Sequence, residues 1–164
     1  MKSDKILLLG NPKLYEVSEP ILEKELSYVK TVVQELHDIL FEFKARYGAF
    51  RGIAAPQIGV MKRLIYINIT EPLVIINPVL ENLSDETFDM WDDCMCFPNL
   101  MVKLKRHNSI TVRFRDMDWQ EKTLHLTNDL SELLQHEYDH LNGILSTQRA
   151  IDNCSFKWRA IISN

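Results

Sequence analysis

The stretch LLQHEYDHLNG, Leu133 to Gly143, decides how the rest of the chain is read. At about 100° per residue, Leu130, Leu133, Leu134, Leu141 and Ile144 gather on one face, so Asp129 to Leu141 is expected as an amphipathic helix. Asp129, with Glu132 three residues later, has the pattern of a capping box, and Gly143 is placed to end the helix. Glu137 falls inside the leucine stripe, and His136 and His140 lie along one edge of it. Four residues apart, the two imidazoles project from adjacent turns and can reach one ion. A glutamate facing a core is costly unless something stabilises its charge or uses its raised basicity. HEYDH fits the pattern H-E-x-x-H, in which the histidines bind a metal and the glutamate is the general base for an attacking water. The plainer alternative is a helix that binds nothing and turns its glutamate to solvent. The leucine face around Glu137 counts against it.

A catalytic metal of this kind needs a third protein ligand. Downstream of His140 the chain has neither His nor Glu, leaving Asp152 and Cys154 there. Upstream, Cys94 and Cys96 in DDCMCFPN are the soft donors, and a thiolate with two imidazoles suits zinc or ferrous iron. Cysteines are more often small buried hydrophobes, and Cys154 is assigned that role.

The 164 residues are expected to form one domain, residues 1–164, large enough to bury a core without disulfides. A formal net charge of −4 and the absence of a Lys/Arg-rich run argue against direct nucleic-acid binding. The densest basic stretch, KLKRH at Lys103 to His107, alternates with apolar residues like a strand edge. Three cysteines do not make a secreted disulfide framework. The apolar run ILLLG is too short for a signal peptide or membrane span, so a cytoplasmic protein with no membrane partner is expected.

Residues 1–19 read as an extended arm with a turn at GNP, Gly10 to Pro12, and about Pro20 to Tyr47 as a long helix with Leu22, Leu26, Val29, Val33, Leu36, Leu40 and Phe43 on its inner face. RLIYINI and LVIINPVL read as strands, as do ETFDMW and LMVKLK on either side of DDCMCFPN. Asn108 to Leu126 reads as a hairpin turning near Asp116 to Asp118. The tail is expected to hold one more strand or a short helix. The sum is an α+β domain with helices covering one side of the strands.

Three blocks in order, FRGIAAPQ (Phe50 to Gln57), DDCMC (Asp92 to Cys96) and QHEYDH (Gln135 to His140), together resemble the signature segments of the peptide deformylase family. LGNPKLYEVSEPI and DHLNGIL are also similar to family segments, so the resemblance spans most of the chain. It implies antiparallel or mixed β-sheets packed around a central metal-binding helix. It also implies a hydrolase that removes the N-formyl group from the N-terminal methionine of nascent peptides, releasing formate. The implied metal ligands are Cys94, His136 and His140, which selects Cys94 over Cys96. Glu137 takes the base's position, Gln57 and the Met95 backbone N–H that of the oxyanion donors, and Gly52, Ile53 and Cys96 that of substrate contacts. One divalent ion per chain is implied, Fe(II) first, with Zn(II) or Ni(II) as alternatives. Partners would be N-formyl-methionyl peptides and, transiently, the ribosome, for a monomer or dimer.

The departures cluster around substrate contact. Phe50 replaces a family glycine, Asp93 puts a carboxylate beside the ligand thiolate, Asp92 shortens the usual glutamate, and Glu132 stands where the family often has an apolar or basic residue. Met101 lies near the place of a family arginine. These changes keep open an amidase for another small N-formyl or N-acyl amine, and a silent homologue that binds formyl peptide or metal.

Overall fold

The computed structural model describes residues 1–159. Helix α1 (Leu26–Tyr47) is stopped by Gly48, which takes φ 65° as its cap. It starts later than the apolar spacing suggests, because Glu23–Glu25 form a tighter 3-10 turn and Leu22 is exposed. Val29, Val32, Leu36, Ile39, Leu40 and Phe43 form its buried stripe, and full burial of such a side chain contributes about 1.5–3 kcal/mol. The N-terminal arm is not simply extended, since Lys2–Lys5 and Pro12–Tyr15 are 3-10 turns.

Among the described residues eight strands follow: β1 (Gly52–Ala54), β2 (Leu64–Asn68), β3 (Pro72–Glu81), β4 (Thr87–Asp93), β5 (Leu100–His107), β6 (Ser109–Arg115), β7 (Glu121–Thr127) and β8 (Phe156–Trp158). They make a five-stranded sheet in the order β1-β2-β3-β6-β7 and a three-stranded sheet β4-β5-β8. Every strand pairing in these sheets is antiparallel, so the mixed option is not taken. Of the tail expected to hold a strand or a short helix, the described part has a 3-10 turn at Ser146–Arg149 and strand β8, and residues 160–164 lie outside the described residues.

Helix α2 (Asn128–Leu141) packs against strands of both sheets, including β1, β5 and β7; its first three residues are exposed, and from Ser131 to Leu141 it is buried except at half-buried Tyr138. The helices therefore do not share one side of the strands; α2 lies at the centre. The expected capping box is absent. Thr127 is the N-cap and makes no side-chain cap bond, while Asp129 and Glu132 both turn to Arg51. Two further expectations fail on burial. Arg106, within KLKRH, is 3% exposed, and Cys154 is exposed rather than buried.

The arm locks the end of α2. The Ser18 N–H donates to the Leu141 carbonyl at 2.9 Å, and Gly143, at φ 68°, runs so close that an added Cβ would stand 2.4 Å from the Tyr15 carbonyl oxygen. Gly143→Ala combines left-handed strain with a backbone clash, and should cost at least about 2 kcal/mol of unfolding free energy. A shift in urea midpoint at constant slope measures it.

Candidate functional site

Asp92 is the last residue but one of β4, with its side chain inward, and Cys94 directly follows Asp93, where the strand gives way to a turn. His136 and His140 face this turn from α2. Cys94 Sγ lies 3.4 Å from His140 Nε2, and the two Nε2 atoms are 3.2 Å apart. The three candidate ligand atoms all lie within 4.8 Å of one another. Cys96 Sγ is turned instead to the Gln57 amide, at 3.7 Å.

Asp92 fixes the His136 ring. Its Oδ2 accepts from Nδ1 at 2.8 Å and also from the Ser146 hydroxyl at 2.7 Å, leaving Nε2 to face the cluster. Arg106 stands behind Asp92 at 3.5 Å and donates to Asp139 at 2.7 Å. Burial alone would raise the Asp92 carboxyl, but His136 and Arg106 hold it below the usual range. Burial likewise opposes charge on His136, yet Asp92 and Glu137 lift its pKa to about 10. Burial, and then the charge on His136, lower His140. Burial pushes the Cys94 thiol well up, with Cys96 and Glu137 adding to it.

Glu137 is 3% exposed, and its Oε2 has no hydrogen-bond partner. Burial raises its carboxyl to about 7; His136 pulls it down, while Asp92 and Glu132 add to the rise. It sits against β1, where a Cβ on Gly52 would come within 3.1 Å of Oε1. The Gln57 Oε1 accepts the Ala54 N–H at 2.7 Å, which turns the amide nitrogen toward Cys94 Sγ at 3.7 Å. Pro56, inside the 3-10 turn Ala55–Ile58, holds that geometry.

Above this floor opens a cavity of about 590 Å³. Gly52, Gln57, Cys94, Met95, His136 and Glu137 line it, whereas Ile53 and Cys96 are buried away from it. Three departures from the family pattern acquire positions here. Phe50 adopts φ 75°, the backbone a glycine would supply, and packs edge-on against Phe43 and Tyr47. Asp93, on the opposite face of β4 from Asp92, pairs with Arg159 rather than with the thiolate. Glu132 lines the cavity and pairs with Arg51. Sequence reasoning missed the Asp92 bond to His136, although a carboxylate two residues before a candidate ligand was a visible signal.

A thiol, two imidazoles and an unpartnered carboxylate at the bottom of an open cavity are the groups of a metal-dependent hydrolase. The sequence model of the polypeptide deformylase family matches residues 3–155. The peptide deformylase of Carboxydothermus hydrogenoformans is 33% identical over 156 residues, covering 94% of this chain and 97% of the relative. That of Microchaete diplosiphon is 32% identical over 157 residues, covering 88% and 82%. The crystal structure of peptide deformylase from Thermotoga maritima is similar with a TM-score of 0.82 at 25% identity, over 90% of this chain and 97% of that one. An inhibitor complex of the Plasmodium falciparum enzyme gives 0.81 at 28%, over 90% and 89%. The chain belongs to the polypeptide deformylase family.

Proposed function

We propose that the buried cluster is the site at which this deformylase removes the N-formyl group from the N-terminal methionine of nascent peptides and releases formate. Cys94, His136 and His140 would hold one divalent ion, Fe(II) first by family resemblance, with Zn(II) or Ni(II) as alternatives. Such an ion polarises a carbonyl and acidifies water at neutral pH. Glu137 takes the proton of the attacking water at its free Oε2 and passes it to the departing amine. The Gln57 amide and the Met95 N–H face the charge that develops on the formyl oxygen, and one such donor contributes about 3 kcal/mol. Gly52 offers backbone beside the peptide, while Ile53 is buried away from the cavity and Cys96 supports Gln57 from behind.

The observation that carries this reading is the unpartnered, fully buried oxygen of Glu137 beside three mutually facing ligand atoms. A binding-only protein gains nothing from so costly a group. The reading extends to one catalytic domain over residues 1–164, a cytoplasmic monomer or dimer and transient contact with the ribosome.

Formate release from formyl-Met-Ala-Ser tests it, using protein prepared anaerobically with ferrous iron. Turnover should fall to background when a chelator strips the metal and return when iron is restored. Turnover that persists after the metal is gone would sink the proposal.

A further inference from the structure

The cavity wall carries a charged element that hydrolysis does not use. Arg51 and Glu132 form an ion pair there, with side chains 36% and 9% exposed, and Arg51 also reaches Asp129 at 3.2 Å. Two carboxylates thus share one guanidinium, and the local sum is negative. Phe50, Trp91, Met95 and Leu133 give the same cavity its apolar wall, and Lys44 and Asp93 also line it.

The pair lies where a substrate's first side chain must arrive. Glu132 is one turn before His136 on α2, about 6 Å along the axis. Arg51 directly precedes Gly52, which abuts Glu137. In a formyl amine the α-carbon is only two bonds from the carbon that reacts. Its side chain is therefore set down within one helical turn of the cluster.

We propose that the Arg51–Glu132 pair determines which first side chain this enzyme accepts, favouring one that ends in a hydrogen-bond donor over an apolar one of similar length. The proposal rests on the deformylase reading. An alkyl chain seated against the pair strips the remaining water from Glu132 and returns no bond, whereas a terminal carboxamide donates to the carboxylate. Arg51 holds that carboxylate in the wall, so it does not swing out to solvent. Formyl-methionyl peptides are still turned over, but without preference over formyl-glutaminyl ones.

The test is the ratio of kcat/KM for formyl-Gln-Ala-Ser to that for formyl-norleucyl-Ala-Ser. Both are read on the same ferrous sample, so folded fraction and metal content cancel. Wild type should favour glutamine by about tenfold, and Glu132→Leu should invert the preference, the scale on which pockets discriminate single groups. Glu132→Gln, which keeps the size, should lower the ratio severalfold and serves if the leucine variant does not fold. A wild-type ratio of one or less, or one that neither variant changes, overturns the proposal. Absence of turnover on both peptides and on formyl-Met-Ala-Ser overturns the deformylase reading itself, a distinct result.

Discussion

Ferrous Glu137→Gln protein should release formate from formyl-Met-Ala-Ser about 10²–10⁴-fold more slowly than wild type, the usual contribution of a positioned general base. Glutamine keeps the size and most of the polarity of the side chain, so the cavity floor is preserved. What it loses is the ability to take and return a proton. Glu137 is outside the set of three mutually close ligand atoms, so bound iron, measured on the same sample, should stay at the wild-type level. That pairing of results separates a proton carrier from a metal ligand. Among the described residues the other carboxylates lining the cavity are engaged elsewhere, Asp92 with His136 and Ser146, Asp93 with Arg159 and Glu132 with Arg51. Activity within about tenfold of wild type would remove Glu137 from the proton transfer.

The parts of this molecule legible in its sequence are those set by short-range pattern. The period of α1, the β-branched runs of β2 and β3 and the turn between β6 and β7 all express local rules; the structure has the strands and the turn near the expected bounds, and α1 ending at Tyr47 as expected but starting at Leu26 rather than about Pro20. His136, Glu137 and His140 were legible for the same reason, being three positions on one helix. Cys94 was legible from its residues only as one of two thiols. Sulfur chemistry does not separate Cys94 from Cys96, and only resemblance chose between them.

What failed to read is set by contacts far apart along the chain. Asp129 and Glu132 have the spacing of a capping box, yet Arg51, some eighty positions earlier, draws both away. Gly52 brings β1 against α2 at Glu137, and that approach is invisible in either segment alone. Phe50 shows the opposite case. The substitution looks disruptive in sequence, but the chain tolerates φ 75° there because the ring gains aromatic neighbours at Phe43 and Tyr47. A stabilising contact of this kind offsets a left-handed cost of about 1–2 kcal/mol.

Arg106 is the residue whose local pattern misleads most, and its removal should be the most damaging to stability. Arg106→Met is expected to lower the unfolding free energy of metal-free protein by about 3–5 kcal/mol, as for a buried pair broken from one side. Its guanidinium, 3% exposed, reaches Asp139 at 2.7 Å and Asp92 at 3.5 Å. Methionine fills much of the volume but leaves both carboxylates with less compensation. Arg149 also holds Asp139, at 2.6 and 2.7 Å, but its side chain is 42% exposed. Arg149→Met should therefore cost only up to about 1 kcal/mol. Urea unfolding in the presence of a chelator measures both variants without a contribution from metal binding. The contrast has a mechanical basis, because Arg106 is on β5 and Asp139 on α2, while Asp92 on β4 holds His136 on the same helix. This network clamps the three-stranded sheet to α2 and so fixes Cys94, just after β4, opposite His136 and His140. If Arg106→Met costs no more than Arg149→Met, the clamp is not what joins them, and apolar packing of Leu104 and Val102 must hold the sheet in place instead.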